Sequence, residues 1–203
     1  MLYEWEYPGG FDNYRLDPFQ QDYLQLPPEV QSYFADGYRE LNDKLRRNRL
    51  DLLTPDERAT LSGLRKQMRV MGEENRQVLF RGMGDRKDEV IDDFVKTLKP
   101  GVELELTTPT SASTEYQVSR DFARNRIGVS KKPGQYNTLF ELHPDSDVRA
   151  LMDNAAEQEF TLDMGQKIIV EEVLEDVVAT APEGHLEDHY RFERYVIGRI
   201  VRE

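Results

Sequence analysis

The strongest constraint on this chain is a change of hydrophobic period near residue 75. Before it, apolar residues recur at three- and four-residue steps: Val30, Phe34, Tyr38, Leu41 and Leu45, then Leu61, Leu64, Met68 and Met71. That spacing places each set on one face of a helix. After it come short β-branched and aromatic runs at 78–80, 102–106, 138–142, 159–162, 168–173 and 195–201, each of strand length. Helical pattern returns only at about 86–97 and 115–125. Helices first and strands after is an α+β order, without the strand–helix alternation of a doubly wound parallel sheet.

Local signals agree with the period. Thr54-Pro55-Asp56-Glu57 is a complete helix start, with Thr54 as N-cap, Pro55 in the first turn and Glu57 closing a capping box. The preceding helix accumulates Lys44, Arg46 and Arg47 at its C-terminal end, where the helix dipole favours cations. Residues 1–27 are aromatic, Pro- and Asp-rich, broken by Pro8-Gly9-Gly10 and closed by Pro27-Pro28. They read as an N-terminal extension lying across one domain of residues 28–203, for which a chain of 203 residues is long enough.

Composition argues against several classes of function. The net charge of −12 opposes tight non-specific binding of nucleic acid, whose phosphates need clustered Lys and Arg. Without cysteine there is no disulfide framework, thiolate nucleophile or Cys-based zinc site. No apolar run reaches the ~18 residues of a membrane-spanning helix, and Met1-Leu2-Tyr3-Glu4-Trp5-Glu6 has neither the basic nor the apolar region of a signal peptide. The expectation is a soluble, cytoplasmic monomer with no membrane partner. His185 and His189 have the four-residue step of zinc ligands on a helix but no third ligand, and Gly82-Met83-Gly84 lacks the rest of a nucleotide-binding loop.

Three short motifs remain. Leu79-Phe80-Arg81-Gly82 ends an apolar strand with an Arg, whose guanidinium can fork two N–H groups onto a phosphate or ribose oxygen, and a Gly that admits close approach to the backbone. Thr110-Ser111-Ala112-Ser113-Thr114 is a hydroxyl-rich strand or strand end, ahead of a short helix carrying Val118, Phe122 and Ala123. Ala155-Ala156-Glu157-Gln158-Glu159-Phe160 is one of three Glu-x-Glu triplets in the chain. As a strand it would put both carboxylates on one face, where they repel. Each motif alone has a bland explanation: a strand-end ion pair, an exposed turn, a chance triplet in an acidic chain.

Together, and in this order, they resemble the mono-ADP-ribosyltransferases of the Arg-Ser-Glu type, the cholera-toxin-like and arginine-specific enzymes. Tyr33, Tyr38, Asn42, Leu45 and Arg46 also resemble the helix that opens many domains of that family, so the likeness spans about residues 28–175. It implies an N-terminal helical lobe on two facing, mainly antiparallel sheets with an NAD cleft between them. The implied reaction is a glycosyl transfer without metal: ADP-ribose passes from NAD, as substrate, to an arginine of a target protein, and nicotinamide is released. A chain without cysteine or signal peptide resembles the bacterial or phage members, either a toxin or effector delivered into a target cell or a phage enzyme that modifies its host.

Residue by residue, the resemblance makes Glu159 the catalytic carboxylate, accepting from the ribose 2′-hydroxyl and supporting the oxocarbenium-like centre as nicotinamide departs. Glu157 would orient and deprotonate an acceptor guanidinium whose pKa exceeds ~12, and relatives that modify other acceptors often carry Gln there. Arg81 would hold NAD, and Ser111 would donate to the catalytic carboxylate, with Ser113 and Thr114 supporting the same strand. Gly82 would present backbone groups to the nicotinamide amide, while Tyr136 or Phe122 would stack on its ring; core packing is the stronger expectation for Phe122.

Residues between Pro144 and Ala156 would form a substrate-reading loop. Arginine-directed relatives often carry an aromatic there, whereas this chain offers Leu151 and Met152. Ala112 also replaces the commoner Thr between the two serines, and Thr110 stands where an aromatic is frequent. Three rival readings remain: an NAD glycohydrolase built on the same motifs with water as acceptor, transfer to a non-arginine or nucleic-acid acceptor, and an acidic binding module without catalysis, in which Arg81 could be replaced freely.

Overall fold

The computed structural model describes residues 26–71, 77–84, 97–123, 135–145, 148–154, 158–180 and 189–201. The expected N-terminal extension and the expected helix at about 86–97 lie almost wholly outside them. The first helical region runs as α1 (Pro28–Ser32), a π-helical stretch (Tyr33–Gly37) and α2 (Tyr38–Arg46). Val30, Leu41 and Leu45 are buried as the period predicts. The wider π turn rotates the face between them, so Tyr33 is buried while Phe34 and Tyr38 are only partly so. Within that core Asn42 Nδ2 donates to Tyr33 Oη at 3.2 Å.

Helix α3 (Pro55–Gln67) starts as expected. Glu57 N donates to Thr54 Oγ1 at 3.2 Å and Thr54 N donates to Glu57 Oε2 at 2.7 Å. Lys44 on α2 braces this start, lying 2.7 Å from Glu57 and 2.8 Å from Glu40. The expected stripe breaks at its end: Met68 turns to an extended ψ of 136°, and Arg69–Val70 become strand β1, paired with β6 (Arg149–Asn154). Met71 therefore enters the core of the sheet rather than that of the helices.

The remaining strands are β2 (Leu79–Met83), β3 (Glu103–Glu105), β4 (Thr110–Ser113), β5 (Gln135–Pro144), β7 (Glu159–Leu162), β8 (Lys167–Thr180) and β9 (His189–Val201), with helix α4 (Tyr116–Ala123) after β4. All nine form one sheet in the order β1-β6-β7-β4-β2-β5-β9-β8-β3, antiparallel except for β5 with β9. One apolar cluster draws on both flanks, Ala150, Phe160 and Leu162 on one side and Ile168, Val170, Val196 and Ile200 on the other. The two expected sheets are thus two halves of one hydrogen-bonded sheet that share a core. They meet between β2 and β4, where Phe80 with Ser113 is the one pair in register among the described residues.

The helical lobe seats beside the end of β7. Asp163, its side chain 5% exposed, stands 3.2 Å from Arg65 of α3 and 3.5 Å from Arg149 of β6. Two guanidiniums offset the desolvation of that carboxylate. Arg149 Nη2 also donates to the Met68 carbonyl at 3.2 Å, and Gln166 closes the corner by bonding Arg149 N at 2.6 Å and Arg149 O at 2.9 Å. Helix α3 is in this way tied to the hairpin that carries Glu159.

Candidate active site

Strand alternation on β2 sends Leu79 into the main core and Phe80 to the other face, where it packs edge-on against Tyr116 of α4 with ring centroids 5.4 Å apart. Arg81 follows, half-buried. Its Nη1 donates to the Ser111 carbonyl, bridging β2 and β4 at the junction of the two half-sheets. A Cβ built on Gly82 would lie 1.8 Å from Ser119 O and 2.4 Å from Ala123 N. Glycine here lets α4 press its backbone onto β2, and Ser119 Oγ donates to the Phe80 carbonyl at 2.7 Å. On that side the close approach is taken by a helix.

The β4–β7 register pairs Thr110 with Leu162, Ser111 with Thr161, Ala112 with Phe160 and Ser113 with Glu159. Ala112, Phe160 and Leu162 enter the main core. Alternation therefore puts Ser111, Ser113, Thr161 and Glu159 together on the opposite face. Ser113, rather than Ser111, stands directly across from Glu159, with Ser111 its diagonal neighbour. The buried Ser113 Oγ accepts from Glu115 N at 2.9 Å, which shapes the turn into α4.

Strand β7 begins at Glu159, and the residue before it departs from expectation. Gln158 has φ of 44°, in the left-handed region, so the alternation that would carry Glu157 and Glu159 onto one face is interrupted between them. Glu157 itself lies outside the described residues. Thr114 holds Gln158 twice: its backbone N donates to Gln158 O at 3.2 Å, and its Oγ1 donates to Gln158 Oε1 at 2.7 Å. The Glu-x-Glu triplet hints at Gln158 only by position.

The expected substrate-reading loop is in large part strand β6. Leu151 is 2% exposed and packs with the helical lobe, while Met152 packs against the main core. Both are paired to β7, which is why the run is extended despite its lack of β-branched residues. Phe122, 41% exposed on α4, is not the core residue expected of it. Tyr136 has its backbone in β5, and its side chain lies outside the described atoms.

One polar cluster has no local sequence signal. Tyr195 Oη donates to Glu141 Oε2, and Glu141 Oε1 lies 2.9 Å from His143 Nε2. Burial, and then the adjacent carboxylate, hold the Tyr195 hydroxyl well above its ordinary ionisation range. Among the described residues no three His, Asp or Glu converge as a metal site.

No family model and no curated protein sequence matches the chain. Solved structures do. Vis, an ADP-ribosyltransferase toxin from Vibrio splendidus, matches with a TM-score of 0.56 at 16% identity, over 89% of this chain and 76% of that one. Vis in complex with agmatine matches with 0.54 at 17% identity, over 86% and 73%. The ADP-ribosylating toxin BECa of C. perfringens, solved with NADH, gives 0.57 at 14% identity, over 88% of this chain and 44% of that one. C3larvin, an ADP-ribosyltransferase from Paenibacillus larvae, gives 0.52 at 13% identity, over 85% of each chain. This chain has the ADP-ribosyltransferase fold. On that fold Arg81, Ser111 and Glu159, far apart in sequence, occupy three adjacent strands, β2, β4 and β7.

Proposed function

We propose that this chain transfers ADP-ribose from NAD to an arginine side chain of a target protein, releasing nicotinamide. The observation that carries the reading is the β2–β4–β7 arrangement, with Arg81 bonded to the Ser111 carbonyl and Ser113 in register with Glu159. In the reaction the bond between ribose C1′ and the nicotinamide nitrogen breaks, and its electron pair leaves with nicotinamide, discharging the pyridinium. Glu159 accepts from the 2′-hydroxyl and stabilises the cation left at C1′, as a fixed charge placed where charge develops. Arg81 holds a phosphate or ribose oxygen of NAD. A guanidinium nitrogen of the acceptor forms the new bond to C1′ and yields a proton to Glu157. Two features support an arginine acceptor: the carboxylate at position 157, and the guanidinium that agmatine, seen with the fold relative Vis, shares with arginine.

The test is incubation with labelled NAD, agmatine and a cell extract, following label into agmatine, protein, nucleic acid or free ADP-ribose. Wild type is expected to label agmatine and protein. Glu159→Ala is expected to lower nicotinamide release by about 100-fold or more, the scale of losing one charge-stabilising group. Glu157→Gln should abolish transfer to guanidines and leave NAD hydrolysis. Undiminished transfer by Glu159→Ala overturns the mechanism, and label found only in nucleic acid overturns the acceptor.

A further inference from the structure

Gln158 is an anomaly next to the carboxylate on which the proposed reaction depends. Three non-glycine residues with positive φ occur among the described residues: Asn48, Gln158 and Asp176. Asn and Asp tolerate the left-handed region through their short polar side chains, whereas Gln has no such preference and must be held there by its surroundings. What holds it is visible. The β4–β7 ladder runs from Thr110–Leu162 to Ser113–Glu159, so Thr114 and Gln158 come next in line. Thr114 N still reaches Gln158 O at 3.2 Å, but Gln158 has left the extended conformation, and the Thr114 hydroxyl grips the Gln158 amide at 2.7 Å instead. A hydroxyl both donates and accepts, so this bond survives either orientation of the amide.

We propose that Thr114 and Gln158 form a clasp that positions Glu159, Thr114 and Gln158 being positioning residues rather than groups that touch NAD. The clasp ends the strand at Glu159 and couples the backbone on either side of its pair with Ser113. With the hydroxyl–amide bond removed, Gln158 relaxes toward an extended conformation and the Glu159 carboxylate swings with its backbone. Small displacements of a catalytic group cost turnover more than substrate binding. The inference rests on the proposed NAD chemistry for its catalytic consequence, and on the geometry alone for the clasp.

Thr114→Val keeps the shape and the backbone N–H and removes only the hydroxyl, while Thr114→Ser retains it. Nicotinamide release with saturating agmatine is expected to show kcat about tenfold lower in Thr114→Val, with KM for NAD within twofold of wild type and activity restored in Thr114→Ser. Gln158→Ala should match Thr114→Val, and the double variant should lose no more than either alone, because both act through one bond. Native-state hydrogen exchange at the position-114 amide, which donates to Gln158 O, is expected to accelerate about tenfold in Thr114→Val and Gln158→Ala but not in Thr114→Ser. Unchanged exchange overturns the clasp whatever the activity. Accelerated exchange with unchanged kcat, or a kcat loss that Thr114→Ser shares, overturns the positioning role. A wild type that releases no nicotinamide from NAD overturns the functional reading and leaves the exchange experiment to decide the clasp.

Discussion

Within each helical segment of the lobe the polar contacts join near neighbours: Glu57 with Thr54, Arg47 with Asp43 at 2.9 Å, Asn42 with Tyr33. At the junction of β2, β4 and β7 they join residues tens of positions apart: Arg81 with Ser111, Ser119 with Phe80, Thr114 with Gln158. The first kind forms with the helix itself and bears on whether the lobe is stable. The second exists only once the sheet is assembled, and it fixes where the reacting groups stand. Substitutions in the two regions should therefore differ in kind, the lobe changing stability with turnover intact and the junction changing both.

Gly82 should be the most sensitive position. Gly82→Ala drives a Cβ into backbone atoms of α4 that cannot rotate away. Overpacking of that sort costs about 3 kcal/mol, the upper end of its usual range. In a domain of this size the melting temperature should fall by about 6–12 °C, measured by calorimetry. A variant melting within a degree of wild type would show that α4 is not held by its approach to β2.

Next is alkaline stability, which tests another long-range pair. The ordinary Tyr ionisation is at 10.0, and Tyr195 is raised above it in the folded protein by burial and by Glu141. A raised folded value means that the unfolded chain loses this proton first. The contribution is complete below about pH 10 and declines as pH rises beyond it, by at most about 1.4 kcal/mol per pH unit, since solvent screens the partly exposed hydroxyl. Urea titrations from pH 8 to 11 should show a shallower decline in Tyr195→Phe than in wild type. Equal slopes would remove the Tyr195–Glu141 pair from the account.

The smallest effect is in the lobe. Thr54→Ala removes a cap that satisfies one orphan N–H of α3, at about 1 kcal/mol. Thermal melts should register a drop of about 2–4 °C, with kcat and KM for NAD unchanged. An altered KM would break the division between the two regions, since the lobe would then reach the site through the Arg65–Asp163–Arg149 connection.

Much of the architecture was legible because its signals are local. The capping box at Thr54 and Glu57 rests on residues three apart, and the Val30, Leu41 and Leu45 stripe on helical geometry alone. The π-helical turn at Tyr33–Gly37 escaped the same logic because it changes the period itself. Strand β6 escaped it for another reason: Arg-Ala-Leu-Met-Asp-Asn has little intrinsic strand preference, and it is extended because β1 and β7 flank it.

The site divides the same way. Local sequence carries the order of helices and strands, the start of α3, and the residue types from which the site is built: an Arg at a strand end, two spaced serines and a carboxylate. Assembly of the sheet sets the rest: Ser113 rather than Ser111 faces Glu159, Gly82 admits a helix, and Gln158 leaves the strand under the hold of Thr114. Periodicity and capping depend on neighbours within one turn of chain. Register, close backbone approach and a left-handed Gln depend on which distant segment arrives alongside, and no short stretch of sequence carries that information.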